Sequence, residues 1–183
     1  MSHLEVLDEL NELWPIDEEP TIIVISGGEP MMQQEELILL VNNLRAMQHE
    51  VHIETAGTIA PTQEMLELVT QFNVSPKLGS SGNVLTKRYK PEVLRTLVAC
   101  NGTYYSARAY FKFVVVSLND FTEIDHIVTN LDIPLNRIQV MPEGTTSLGQ
   151  IKHGREIVDA ALVRGYGLSF RTHTLLWGNE RGK

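Results

Sequence analysis

The sequence predicts an α/β fold on a mostly parallel sheet, and three observations carry that reading. Apolar runs of strand character alternate with stretches of helical period along the whole chain. Their spacing leaves room for a helix between successive strands, as parallel neighbours joined by right-handed crossovers require. No internal repeat, low-complexity tract or interdomain linker interrupts the pattern, so residues 1–183 read as one domain.

Each element has its own justification. Ser2 opens Ser-x-x-Glu with Glu5, a capping-box pattern, and Leu4, Leu7, Leu10 and Leu13 recur along one side of a helix that Pro15 ends. Thr21–Ile25 is a β-branched run bounded by Gly and Pro, which reads as a buried strand. From Glu35 to about Met47, Leu37, Leu40, Val41 and Leu44 stand at helical spacing. Val51–Glu54 is a short strand, Pro61–Val69 a helix with Pro near its first turn, and Phe72–Val74 a further strand. Gly79 to Asn83 is the most flexible stretch, a surface loop. Pro91–Ala99 is helical, Tyr110–Val116 is a clear strand, and Phe121–Asn130 is a short helix. Ile138–Met141 is extended, Ile151–Arg164 is a helix closed by Gly165, and Leu168–Phe170 is a last strand before a polar and aromatic tail.

Composition narrows the function classes. A formal net charge of −8 argues against a nucleic-acid backbone as the main partner. No apolar run approaches the roughly 18–20 residues that span a bilayer, and the first residues lack a signal-peptide layout, so a cytoplasmic setting is expected. Cys100 is the only cysteine, which excludes an internal disulfide and any site of several thiolates.

Chemistry gathers where strands end, because the loops there share one rim. After the first strand, Ser26-Gly27-Gly28-Glu29-Pro30 places two glycines and a carboxylate, so bare backbone and Glu29 can meet an ammonium-bearing ligand. Glu54, Thr55 and Thr58 follow the second strand, Ser75-Pro76-Lys77 the third, and Gln139-Val140-Met141-Pro142-Glu143-Gly144 forms the fourth such end. Singly, Glu54 and Thr55 read as helix-entry polar residues, Ser75-Pro76 as a turn and Lys77 as a solvated charge. Together at one end of a sheet they point to a shared ligand site.

Ser26 to Pro30 resembles the Gly-Gly-Glu-Pro motif of radical S-adenosylmethionine (SAM) enzymes, which hold the amino group of SAM at this turn. With Ile53 to Thr58, Val74 to Lys77, Phe111 to Val115, Val140 to Gly144 and the ending Arg171 to Gly178, the chain is similar, from about Leu4 onward, to the 7-carboxy-7-deazaguanine synthases of the queuosine pathway. The resemblance implies a partial (β/α) barrel of the radical SAM type, missing its first strand and cluster loop. It implies that Gly27, Gly28, Glu29, Ser75, Pro76, Lys77, Gln139 and Met141 bind SAM, and that Ser26, Glu54, Thr55 and His173 lie near the pterin substrate. His173 and Trp177 could approach a heterocycle, but a tail packed under the sheet is the commoner use of such residues. The implied reaction is ring contraction of 6-carboxy-5,6,7,8-tetrahydropterin to 7-carboxy-7-deazaguanine with loss of ammonia, assisted by Mg²⁺. A homodimer and a reductant protein are the implied partners.

The departure concerns the [4Fe–4S] cluster, which in that family is held by a Cys-x₃-Cys-x₂-Cys loop absent here. Cys100 does not match that loop and reads as a small buried filler. An inactive truncated enzyme, one half of a split enzyme, and a degenerate copy that keeps a SAM or pterin pocket all remain open. So do a cluster-free SAM- or pterin-binding module and a relative of the radical SAM activases. Without the family's opening strand, the Thr21–Ile25 strand is expected to present an apolar, unprotected edge.

Overall fold

The computed structural model describes residues 2–13, 19–102, 108–178 and 180. In chain order the elements are α1 (His3–Leu13), β1 (Ile22–Ile25), α2 (Gln34–Ala46), β2 (Glu50–Thr55), α3 (Gln63–Leu68), β3 (Gln71–Val74), α4 (Leu85–Arg88), α5 (Pro91–Ala99), β4 (Arg108–Val115), α6 (Asp120–Leu131), β5 (Ile138–Pro142), α7 (Ser147–Arg164), β6 (Gly167–Leu168) and α8 (Thr172–Trp177). They form two compact units, Met1–Val74 with Pro91–Ala109, and Ser75–Lys90 with Tyr110–Lys183.

In the first unit β1, β2 and β3 are parallel neighbours, in a register that pairs Ile25 with Ile53 and Thr55 with Val74. Register decides which residues share a face. Val51, Ile53, Phe72 and Val74 are buried, and Leu40, Val41 and Leu44 of α2 with Met65 and Leu66 of α3 complete this core. On the other face β2 and β3 present Glu50, His52, Glu54, Gln71 and Asn73, and the register sets Ile22 and Val24 of β1 beside Glu50 and His52. A parallel sheet covered on both faces would show continuous apolar strands instead. This face leads to the strand ends that carry Ser26 and Glu54.

In the second unit β4, β5 and β6 are parallel, with Lys112 beside Gln139 and Gln139 beside Gly167. Phe111, Phe113, Val115, Ile138 and Val140 are buried, and Phe121, Ile124, Ile157 and Ala161 from α6 and α7 are buried with them. Asp125 of α6 ties these helices together: it accepts Nε of Arg164 at 2.8 Å and the hydroxyl of Tyr166 at 2.8 Å. Burial, then this hydrogen bond, push the Tyr166 phenol above its ordinary range.

Several elements differ from the sequence reading. Helix α7 starts at Ser147 rather than Ile151, because the Thr146 hydroxyl accepts the Gly149 N–H at 3.1 Å and caps it four residues earlier. Thr62 caps α3 in the same way, which leaves Pro61 outside the helix. Strand β6 stops at Leu168, and Phe170 packs on Gly154, where a Cβ would lie 2.7 Å from its ring. Gly79–Ser81 is a 3₁₀ turn, fixed by Ser81 donating both N–H and hydroxyl to the Leu78 carbonyl. The Ser2–Glu5 capping box forms, and the Ser2 N–H holds the Glu5 carboxyl below its usual pKa. The expected stop at Pro15 lies outside the described residues.

Strand β1 ends the strand order, with no strand paired on its outer side among the described residues, and its Ile22 and Val24 side chains are 55% and 51% exposed. Such an edge templates pairing between chains. Val24→Lys is therefore expected to lower self-association at equal protein concentration, measured by light scattering. An unchanged scattering mass would show that the edge is not the sticky surface.

Candidate functional site

In the first unit, candidate residues stand at the ends of β1 and β2. Gly27 has φ of +131°, a conformation open to glycine, and a Cβ on Gly27 or on Gly28 would meet nothing within 4 Å. Both residues are exposed, so their backbone faces free space. Beside them Glu29 is fixed from three sides. Its Oε1 accepts the Thr55 hydroxyl at 2.7 Å and the Met31 N–H at 3.3 Å, while Oε2 accepts the Ala56 N–H at 2.9 Å. A carboxylate oxygen can accept two hydrogen bonds, and among the described residues Oε2 accepts one.

Thr55 is buried, and its hydroxyl donates to Glu29 and accepts the Gly57 N–H at 3.0 Å. Its action is to hold Glu29. Gly57 is equally constrained: φ is +69°, and a Cβ would stand 2.7 Å from Leu94 Cδ2 and 2.8 Å from Val74 Cγ1. Ser26 and Glu54 are exposed at their strand ends.

The second unit holds the remaining residues. Pro76, Lys77, Ser80, Ser81, Glu143 and Arg171 help line a cavity of about 320 Å³, walled on its apolar side by Leu78, Val114 and Val116. Gln139 is exposed on β5, and Met141, paired with Val114, is buried. Ser75 is half-buried at the end of β3. The tail departs from the packing role read for it: His173 is exposed and Trp177 is 47% exposed, while Thr174 is the buried residue of α8.

Three residues that organise this unit escaped the sequence reading. Gln150, fully buried, donates to the Gly144 carbonyl at 3.1 Å and accepts the Arg171 N–H at 3.1 Å, which ties the Pro142 to Gly144 turn to the start of the tail. Arg88 and Glu123 form an ion pair beside the turn that follows Lys77. A lone Gln in a helix's first turn, or an Arg and a Glu 35 positions apart, has no spacing signature in sequence.

No group of three or more His, Cys, Asp or Glu able to hold a metal ion occurs among the described residues. No helix among them is long and apolar enough to cross a membrane.

These parallel β/α elements have a partial-(β/α)-barrel-like fold that matches QueE from Escherichia coli. That likeness has a TM-score of 0.63 at 20% identity and covers 93% of this chain and 64% of that one. No family model matches the sequence. Its family-level match is to the 7-carboxy-7-deazaguanine synthases. The synthase of Pyrobaculum aerophilum is 34% identical over 142 residues, 76% of this chain and 57% of the relative. That of Rhodopirellula baltica is 30% identical over 146 residues, 78% of this chain and 56% of the relative. The chain thus spans little more than half the length of the curated relatives it matches.

Proposed function

We propose that this chain supplies the SAM- and pterin-binding part of a 7-carboxy-7-deazaguanine synthase reaction. That reaction contracts 6-carboxy-5,6,7,8-tetrahydropterin to 7-carboxy-7-deazaguanine and releases ammonia. The observation that carries the reading is the open Gly27–Gly28 backbone next to a Glu29 carboxylate that the Thr55 hydroxyl and the Ala56 N–H hold still. An ammonium donates to carbonyl and carboxylate oxygens, and fixed acceptors bind it without reorganisation.

In this reading Gly27, Gly28 and Glu29 take the methionyl ammonium of SAM. Ser75, Lys77 and Gln139 offer it polar contacts, and Pro76 and Met141 offer apolar ones. Ser26, Glu54 and His173 are the pterin-side residues, and Thr55 serves them through Glu29. When bound, SAM supplies the 5′-deoxyadenosyl group of the chemistry; the protein's part is to bind and orient.

The [4Fe–4S] cluster does not fit the residues of this sequence. Three thiolates are needed, and the single Cys100 is fully buried with its Sγ donating to the Thr96 carbonyl at 3.5 Å. No step through the cluster is therefore assigned to this chain, nor one through Mg²⁺. The same observation favours a second reading, a SAM- or pterin-binding subunit that acts with another polypeptide. Titration calorimetry with SAM, combined with iron analysis and assay of 5′-deoxyadenosine under dithionite, tests both. Saturable SAM binding with neither iron nor product is expected. A stoichiometric [4Fe–4S] signal from this chain alone would overturn the assignment.

A further inference from the structure

The segment from Ser75 to Asn83 brings Lys77, Ser80 and Ser81 to the 320 Å³ cavity of the second unit, and all three are exposed there. Exposed residues on a glycine-containing turn need an external hold to keep one geometry. The turn's own bonds, from Ser81 and Gly82 back to Leu78 and Gly79, set its local shape but not its place in the unit.

That hold comes from two residues outside the segment. From α4, Arg88 donates Nε to the Asn83 carbonyl at 3.1 Å and Nη1 to the Lys77 carbonyl at 3.0 Å. The same Nη1 pairs with Oε1 of Glu123 on α6, and Oε2 of Glu123 accepts the Gly79 N–H at 2.8 Å. The clasp thus grips the segment at its start, middle and end. The side chains of Arg88 and Glu123 are only 10% and 30% exposed, unlike an ordinary solvated surface pair. A Cβ at Gly79 would lie 3.3 Å from Glu123 Oε2 and 3.5 Å from Arg88 Nη2, so glycine lets the clasp close on the backbone. Helix α6 is a firm anchor, with Phe121, Ile124, Ile127, Val128 and Leu131 buried.

We infer that Arg88 and Glu123 are positioning residues for the ligand-binding segment Ser75 to Asn83, setting the place of Lys77 through its backbone. The inference rests on the reading that this segment contacts SAM. The guanidinium is suited to the task because its planar fork can serve two carbonyls and a carboxylate together, which a lysine ammonium on a flexible stem does not reproduce.

The test combines SAM titration, amide hydrogen exchange at Gly79 and thermal unfolding, on the wild-type chain and on Arg88→Ala, Arg88→Lys and Glu123→Gln. Arg88→Ala is expected to weaken SAM binding roughly tenfold, the low end of what loss of a residue that orients a binding group costs, and to speed Gly79 exchange. Arg88→Lys should restore neither. Glu123→Gln, which keeps the side chain's shape, should move both readouts in the same direction and covers the case in which Arg88→Ala fails to fold. A purely structural ion pair would lower the thermal midpoint and leave SAM affinity unchanged, and that result overturns the proposal. Full rescue by Arg88→Lys overturns it too. If the wild-type chain binds no SAM, the function proposed above falls, and the clasp is then decided by exchange alone: an unchanged Gly79 rate in Arg88→Ala refutes it, a faster rate sustains it.

Discussion

Gly28→Val is expected to abolish SAM binding while leaving the fold intact. A Cβ at Gly28 meets nothing within 4 Å, so the substitution adds no clash inside the protein. Exposed changes of that kind stay within about 0.5 kcal/mol of the parent stability. The added methyl groups would instead fill the space in front of the backbone where the ligand's methionyl end approaches. Ser75→Ala provides the comparison, because it removes at most one hydrogen bond, a loss of roughly 0.5–1.5 kcal/mol. Calorimetric titration of both variants should show no measurable heat for the first and weakened binding for the second. Equal affinities would move Gly28 out of the contact shell.

Gly57→Ala is expected to do the reverse, damaging the fold before it damages binding. The residue sits at φ +69°, and the new methyl would stand within 2.8 Å of Leu94 and Val74 side chains, both fully buried. A left-handed conformation costs a non-glycine residue roughly 1–2 kcal/mol, and overpacking adds about 1–3 kcal/mol. The sum, roughly 2–5 kcal/mol, is a large share of the 5–15 kcal/mol that holds a typical domain together. The position also feeds the site, since the Gly57 N–H donates to the Thr55 hydroxyl that fixes Glu29. Thermal unfolding should show a fall of roughly 5–20 °C, on the scale for chains of this size. A midpoint unchanged within error would mean that Leu94 and Val74 move aside freely.

The sequence made the site's centre readable and left its supports hidden, for physical reasons. A β-branched run ending in Gly27-Gly28 announces bare backbone at a strand end, and that backbone is open in the structure. The parallel sheet was readable from strand–helix alternation, and the registers bear it out. Helices α4 and α8 were not: the four residues of α4 are too few for a helical period to register, and Thr172–Trp177 was read as part of a polar and aromatic tail. The start of α7 was missed where Gly149, Gln150 and Lys152 interrupt the apolar pattern, although Thr146 was there to cap it. Arg88, Glu123 and Gln150 act through partners distant in sequence, and polar contacts of that kind leave no local trace. Thr55 was legible as a polar strand-end residue, but its bonds to Glu29 and Gly57 join residues 26 and two positions away and left no pattern in the sequence.

The central claim is that the strand-end residues of this chain contact SAM although the chain cannot hold the cluster. Amide chemical-shift mapping during SAM titration tests it most directly. The account predicts saturable shifts at Gly27, Gly28, Glu29, Ser75, Lys77 and Gln139, with Glu64 and Glu92 in α3 and α5 unmoved. Shifts confined to other residues, or none at millimolar SAM, would contradict it.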